Sequence, residues 1–314
     1  MNFIRFKPFY FGKVWGGSKL RDFFGRDVGD KGESIGESWE ISDRPEAESV
    51  AIGGRFDSMT LAQIIAAEPR YIMGEGYVAG SRFPVLVKWI DAASALSIQV
   101  HPSGNAAAAP GSERKNENWF VAQADCGAKL IAGFKGGVVA VDEKTIANPD
   151  WLRGHLNEIS VSAGDSVYIE SGCVHAIGAG NLILEIQENS DTTYRLYDWD
   201  RLGIDGKPRE LRIRESAMSI DLSANPELIS TARDCEPRII CDAPRFTIEH
   251  MKLSDGEELG LAASKAKLLG IVSGGLADAE NNAVSVSENV LVPAGENAVF
   301  TAVGGCELLL TTLK

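Results

Sequence analysis

The sequence predicts a mainly β protein of the sandwich or barrel kind with a few helices, and three observations carry that prediction. Short runs rich in Val, Ile, Leu, Phe and Tyr recur along the chain, each closed by Gly, Asn, Asp or Pro, as strands and their turns require. Apolar residues at helical spacing are scarce. One strand-and-turn pattern occurs twice, at "DSVYIESGCVH" (165–175) and "ENVLVPAGENA" (288–298).

The elements follow in order. The opening "MNFIRFKPFYFGKVW" interleaves Arg5, Lys7 and Lys13 with aromatics, so it lacks the apolar run of a signal peptide. "LAQIIAAEPRYI", with Ser58 and Thr60 ahead of it as caps, predicts a helix near 58–67. "FPVLVKWIDA", "ALSIQVHP", "NWFVAQAD", "KLIAGF", "DSVYIES", "NLILEIQ" and "TYRLYDW" then read as strands. "PRELRIRESAMSI" is a second helical candidate, and "RFTIEHMKL", "AKLLGIVSG", "NVLVPAG" and "CELLLTTL" are the strands beyond it. The repeated pattern aligns without gaps: Asp165 with Glu288, Val167 with Val290, Gly172 with Gly295, and His175 with Ala298. If one motif is used twice, the copy without a histidine keeps the scaffold and the chemistry belongs to the first. The plain alternative is chance likeness between two strand–turn–strand units. The expected division is a site-bearing domain over 1–220 and a degenerate second barrel over 221–314.

Composition removes some function classes. The formal net charge of −13 argues against nucleic acid and anionic membrane as partners, while a locally basic pocket can still hold an anionic substrate. No run reaches membrane-spanning length, and a cytoplasmic location is expected. Cys126, Cys173, Cys235, Cys241 and Cys306 are odd in number and have no close spacing. Free thiols are therefore expected, and a clustered-cysteine zinc site is not.

Residues that can carry chemistry gather in two places. In "LSIQVHP", Gln99 and His101 lie two apart, so a strand turns both to one face while Ile98 and Val100 take the other. His175 follows the Gly turn of "ESGCV", and Glu117 in "KNENW" opens another strand. Two imidazoles, a carboxylate and an amide oxygen make a mixed metal site if the fold brings them together. Taken singly, each strand histidine is more often a hydrogen-bonded structural residue; His155, in a connector, and His250, at a strand end, are read that way. The second concentration is "LILEIQENSDTTYRLYDWDR", where Asp191 and Arg195 lie four apart and Thr193, Arg195 and Tyr197 share a strand face. An arginine there can grip phosphate or a developing oxyanion, or simply form a surface pair with Asp191.

Together "GKVWGGSKL", "GESWEIS", "LSIQVHP", "KNENWFV" and "SGCVHAIGAGNLILEIQENSDTTYRLYDWDR" resemble the type I phosphomannose isomerases in their short bacterial form, from about Phe6 to Arg201. That resemblance implies a double cupin (jelly-roll) β-barrel with a few helices and an enzyme that interconverts mannose 6-phosphate and fructose 6-phosphate through a cis-enediol. It implies one Zn2+ per chain held by Gln99, His101, Glu117 and His175, with Arg195, Lys115 and Asp191 as catalytic residues. Ser97, Lys88, Glu37 and Trp39 are the candidates for substrate contact. Lys88 has a plainer reading, a core strand residue with its charge in solvent, and Trp39 has one as a core residue. The expected partner is a sugar phosphate, and the expected assembly a monomer or homodimer. The rivals are another metal-dependent cupin enzyme, such as an iron oxygenase with a His-x-His pair, and a non-catalytic sugar-binding cupin. Gln99 stands where that pair's first histidine would be, which favours zinc and non-redox chemistry.

Overall fold

The protein, a computed structural model, is described over residues 2–29, 34–109, 111–234 and 236–314. Cys235 lies outside the described residues, whereas Cys126, Cys173, Cys241 and Cys306 are free thiols, as expected. The chain is mainly β. Its described residues fall into two compact units that interleave in sequence. One takes in Met1–Phe9, Trp39–Lys88 and Thr231–Lys314, and the other Tyr10–Ser38 and Trp89–Ser230. The division is thus not one linear cut near 220: two amino-terminal stretches group with the carboxy-terminal strands.

In the first of these units, the long antiparallel strands Lys267–Asp278 and Ala298–Leu313 form the spine of a sheet. Phe246–Leu253 and then Arg238–Asp242 extend it on one side, and Asn289–Val292 and Ile4–Arg5 on the other. Along Ala298–Leu313, Ala298, Phe300 and Ala302 are buried while Val299 and Val303 are exposed, the period of two that a one-faced strand needs. Leu269, Ile271, Val290, Phe300 and Leu308 make its core. The helix expected near 58–67 is Leu61–Ala67; Thr60 and Gln63 cap it reciprocally, and Leu61, Ile64 and Ile65 face inward.

The other unit pairs two sheets. The first runs in the order Leu156–Ser160, Lys129–Phe134, His175–Ile177, Ile98–Val100 and Tyr194–Tyr197. The second sets Leu228–Ser230, Asp165–Ile169, Glu117–Ala124 and Asn181–Glu188 side by side. Leu130, Ala132 and Ile177 of the first sheet and Trp119, Val121, Val167 and Ile183 of the second belong to one buried cluster, so the two sheets face each other. The second expected helix is Ile213–Ser219.

Some local expectations are corrected. A bulge between Arg195 and Tyr197 breaks the alternation, so Tyr197 packs into the core with Tyr194 and Leu196 and does not share Arg195's face. His250 lies inside the strand Phe246–Leu253 and not at its end. His155 closes the helix Pro149–His155, stacked on Trp151 with ring centroids 4.3 Å apart.

Candidate metal centre and active site

The strand Ile98–Val100 is the hub of the site. Its Gln99 lies directly opposite His175 on one neighbouring strand and opposite Arg195 on the other. Side chains at directly paired positions stand on the same face, so register alone brings these three together. Ile98 and Val100 point the other way into the core, as the period of two predicts. His101 follows two residues on, and Glu117 enters from the facing sheet as the first residue of Glu117–Ala124. Hydrogen bonds clamp the approach: Lys115 N donates to Ser171 Oγ (2.9 Å), Ser171 N to Asn116 Oδ1 (2.8 Å), and Gly172 N to the His101 carbonyl (3.1 Å).

His101, Glu117 and His175 are fully buried, and one ligand atom from each lies within 4.8 Å of the others. His101 Nε2 is 3.2 Å from Glu117 Oε2, and His175 Nε2 is 3.4 Å from Glu117 Oε1. The Nδ1–H of His101 donates to the Thr192 carbonyl (2.9 Å) and that of His175 to the Cys173 carbonyl (2.8 Å). These bonds leave each Nε2 as a bare lone pair aimed at the carboxylate. Burial reinforces the neutral form: desolvation pushes His175 down to about 3 and lowers His101, with the Lys115 charge adding to the second effect. For Glu117, burial works to raise the pKa, but the Lys115 ammonium and the imidazoles override it and hold the carboxyl well below its usual range. Two imidazole lone pairs thus face an ionised carboxylate whose buried Oε1 takes no hydrogen bond. Such a set of acceptors fits a cation.

The neighbours complete the picture. Gln99 presents Nε2 to His175 Nε2 at 3.2 Å, and its Oε1 accepts from Ser97 Oγ at 3.2 Å. A half-turn of the amide exchanges the two ends and offers the oxygen to the cluster. Lys115 is buried; its Nζ lies 2.7 Å from Glu117 Oε2 and 3.7 Å from Glu185 Oε1. Burial alone would lower its pKa, yet the two carboxylates raise it, so the side chain is an ammonium. Glu185, beside Lys115, is a residue of this cluster that the sequence reading did not single out. It lies opposite Trp119, whose indole N–H donates to Glu185 Oε2 at 3.0 Å. Its signal was there in "LILEIQEN": an acid on an otherwise apolar strand, two residues before Gln187.

Arg195 is half-buried; its Nε donates to Ser97 Oγ (3.2 Å) and one terminal nitrogen to the Glu210 carbonyl (2.9 Å). Asp191 is exposed, and its charge helps to raise the Lys115 pKa. Glu37 is ion-paired with Lys13 at 3.0 Å. Trp39 and Lys88 belong to the unit that carries the carboxy-terminal sheet. There Trp39 is buried, and Lys88 is not a surface cap: it is 3% exposed, with its ammonium 4.6 Å over the Trp39 ring.

Residues 3–125 match the family model for the phosphomannose isomerase type I catalytic domain. A mannose-6-phosphate isomerase from Streptococcus mutans is 39% identical over 247 residues, which is 77% of this chain and 76% of that protein. The mannose-6-phosphate isomerase ManA of Bacillus subtilis is 37% identical over 224 residues, 71% of this chain and 69% of its own. The crystal structure of the mannose 6-phosphate isomerase from Bacillus subtilis superposes with a TM-score of 0.86 at 29% identity, covering 99% of both chains. The fold that this likeness shows is the mainly β, cupin-type fold expected above.

Proposed function

Because the chain belongs to the type I phosphomannose isomerase family, we propose that it interconverts mannose 6-phosphate and fructose 6-phosphate, using one Zn2+ held by His101, Glu117, His175 and the Gln99 oxygen. The observation that supports the metal is the convergence of the His101 and His175 Nε2 atoms on the two oxygens of the buried Glu117 carboxylate, whose Oε1 takes no hydrogen bond. Neutral imidazoles with oxygen donors suit zinc. When bound, such an ion supplies Lewis acidity to the substrate's carbonyl and hydroxyl oxygens.

The chain's own residues do the rest. Isomerisation moves a proton between C1 and C2 through a cis-enediol, so a group must accept the carbon-bound proton and return it to the neighbouring carbon. Lys115, bracketed by Glu117 and Glu185, carries its proton at neutral pH and is placed to donate. Asp191 is the carboxylate candidate for the acceptor. Arg195 offers a fixed guanidinium for enediolate or phosphate charge, with Ser97 joining it to Gln99. The test is a coupled isomerase assay run beside metal analysis. His101→Ala and His175→Ala are expected to lose bound metal and turnover together. Arg195→Ala is expected to keep its metal and lose on the order of a hundredfold in kcat. A variant stripped of metal that turns over normally contradicts the assignment.

A further inference from the structure

We propose that Asp198 and Arg209 are positioning residues that set the Arg195 guanidinium through a backbone strap formed by residues 198–212. The proposal rests on the reading of Arg195 given above and adds the question of what aims it.

One terminal nitrogen of Arg195 donates to the carbonyl of Glu210, a residue whose own side chain is 69% exposed. The Glu210 side chain reaches only as far as Arg212, at 2.9 Å, in the bonds described for it, so its carbonyl is placed by its neighbours in the chain. Two anchors bracket it. On one side, Arg209 Nε donates to Asp198 Oδ2 at 2.7 Å, and a second nitrogen of the same guanidinium bonds Oδ1. On the other side, Arg212 N donates to the Arg195 carbonyl at 2.8 Å. Asp198 is 5% exposed and also takes two bonds from Arg201, at 2.9 and 3.0 Å.

The strap leaves the Arg195 strand by an unusual bend. Trp199 and Asp200 both adopt left-handed backbone, with φ of 58° and 55°. Non-glycine residues hold such angles only where their surroundings fix them. Here the Trp199 indole donates to the Leu96 carbonyl (2.7 Å) and the Tyr197 hydroxyl to Asp200 (2.8 Å). The loop is then closed by Gly203 N on the Lys207 carbonyl (2.7 Å) and by a bridge between Leu202 and Pro208. Asp198 also supplies negative charge among three guanidiniums, Arg195, Arg201 and Arg209; burial first, then Arg209 and Arg201, lower the Arg195 pKa, while Asp198 and Glu210 oppose them. Without Asp198 or the Arg209 fork, the Glu210 carbonyl loses its fixed place, and Arg195 is pushed by uncompensated charge.

The experiment is a double-mutant cycle with steady-state kinetics on the metal-loaded protein. Arg209→Gln and Asp198→Asn are each expected to lower kcat by about tenfold or more with KM within about threefold, because a misaimed group costs rate more than ground-state binding. Bound metal should stay at the wild-type level, and Arg209→Lys should recover part of the loss. In the Arg195→Ala background, neither change should lower kcat further, since both act through that side chain. Loss of charge at the exposed Arg214, as Arg214→Gln, should leave kcat unchanged. Undiminished kcat in Arg209→Gln, or a loss that adds in full to that of Arg195→Ala, overturns the proposal. Full turnover in Arg195→Ala is a different result: it removes Arg195 from the mechanism, and the strap's role goes with it. Arg209 is a quarter exposed, so Arg209→Gln carries the test if the more buried Asp198→Asn loses its fold.

Discussion

At the scale of single residues, burial decides which protons the site holds before any ligand arrives. His175 is pushed down to about 3, and His101 is lowered, both first by desolvation. An unfolded histidine titrates near 6.5. Between that value and the folded one, the unfolded chain binds more protons than the native protein, so native stability is complete above about pH 6.5 and drains away as pH falls through the window. The metal-stripped protein should therefore show a urea midpoint that declines between about pH 6.5 and 4.5, with His175 contributing up to about 1.4 kcal/mol per pH unit and His101 acting in the same direction. His175→Gln should flatten that slope, and a slope equal to the parent's would mean that His175 is not held neutral by the fold. Strand alternation placed Gln99 and His101 on one face in the sequence, while the meeting of His101, Glu117 and His175 depends on strand register and a facing sheet that alternation does not specify. Glu185 and Lys88 were less legible: a period of two says which way a side chain points, but not that an ammonium will find a second carboxylate or a tryptophan ring there.

At the scale of elements, the turn ahead of His175 does more than reverse the chain. Gly172 has φ of +98°, and a Cβ there would lie 2.9 Å from Ser103 Oγ and 3.0 Å from the Ser219 carbonyl. Its N–H holds the His101 carbonyl, and its own carbonyl accepts from Asp221 N at 2.9 Å. The His101 backbone is thus tied to a residue that only glycine suits, in the turn three residues ahead of His175. Gly172→Ala should cost about 1–3 kcal/mol of stability and weaken metal binding as well. Thermal melting with a parallel zinc titration checks it; unchanged affinity alongside a lowered melting point would confine the glycine to a structural part. Its counterpart in the repeated pattern, Gly295, is required for another reason: there a Cβ would meet the Tyr71 ring at 2.6 Å. Sequence likeness marked both glycines, and only packing separates their causes.

At the scale of the whole molecule, the two matched stretches of sequence form strands at corresponding places, Asp165–Ile169 and Asn289–Val292. His175 opens the strand His175–Ile177, and Ala298, its counterpart, opens Ala298–Leu313. The interleaving of the two units was not legible, because a strand as short as Ile4–Arg5 carries too little pattern to name its partner sheet. Of the four histidines, His250 alone lies in the unit with the carboxy-terminal sheet. There its Nε2 lies 2.8 Å from Glu307, which Lys252 also approaches at 4.0 Å. Among the described residues, one group of three or more potential ligands converges, at His101, Glu117 and His175. With a net charge of −13, the surface will also gather divalent ions loosely, so the titration needs a weak chelator as competitor. Under that competition the stripped protein should take up one zinc per chain, and His175→Ala close to none. Two tight equivalents in the parent protein, or one that survives in His175→Ala, would place the binding outside this cluster.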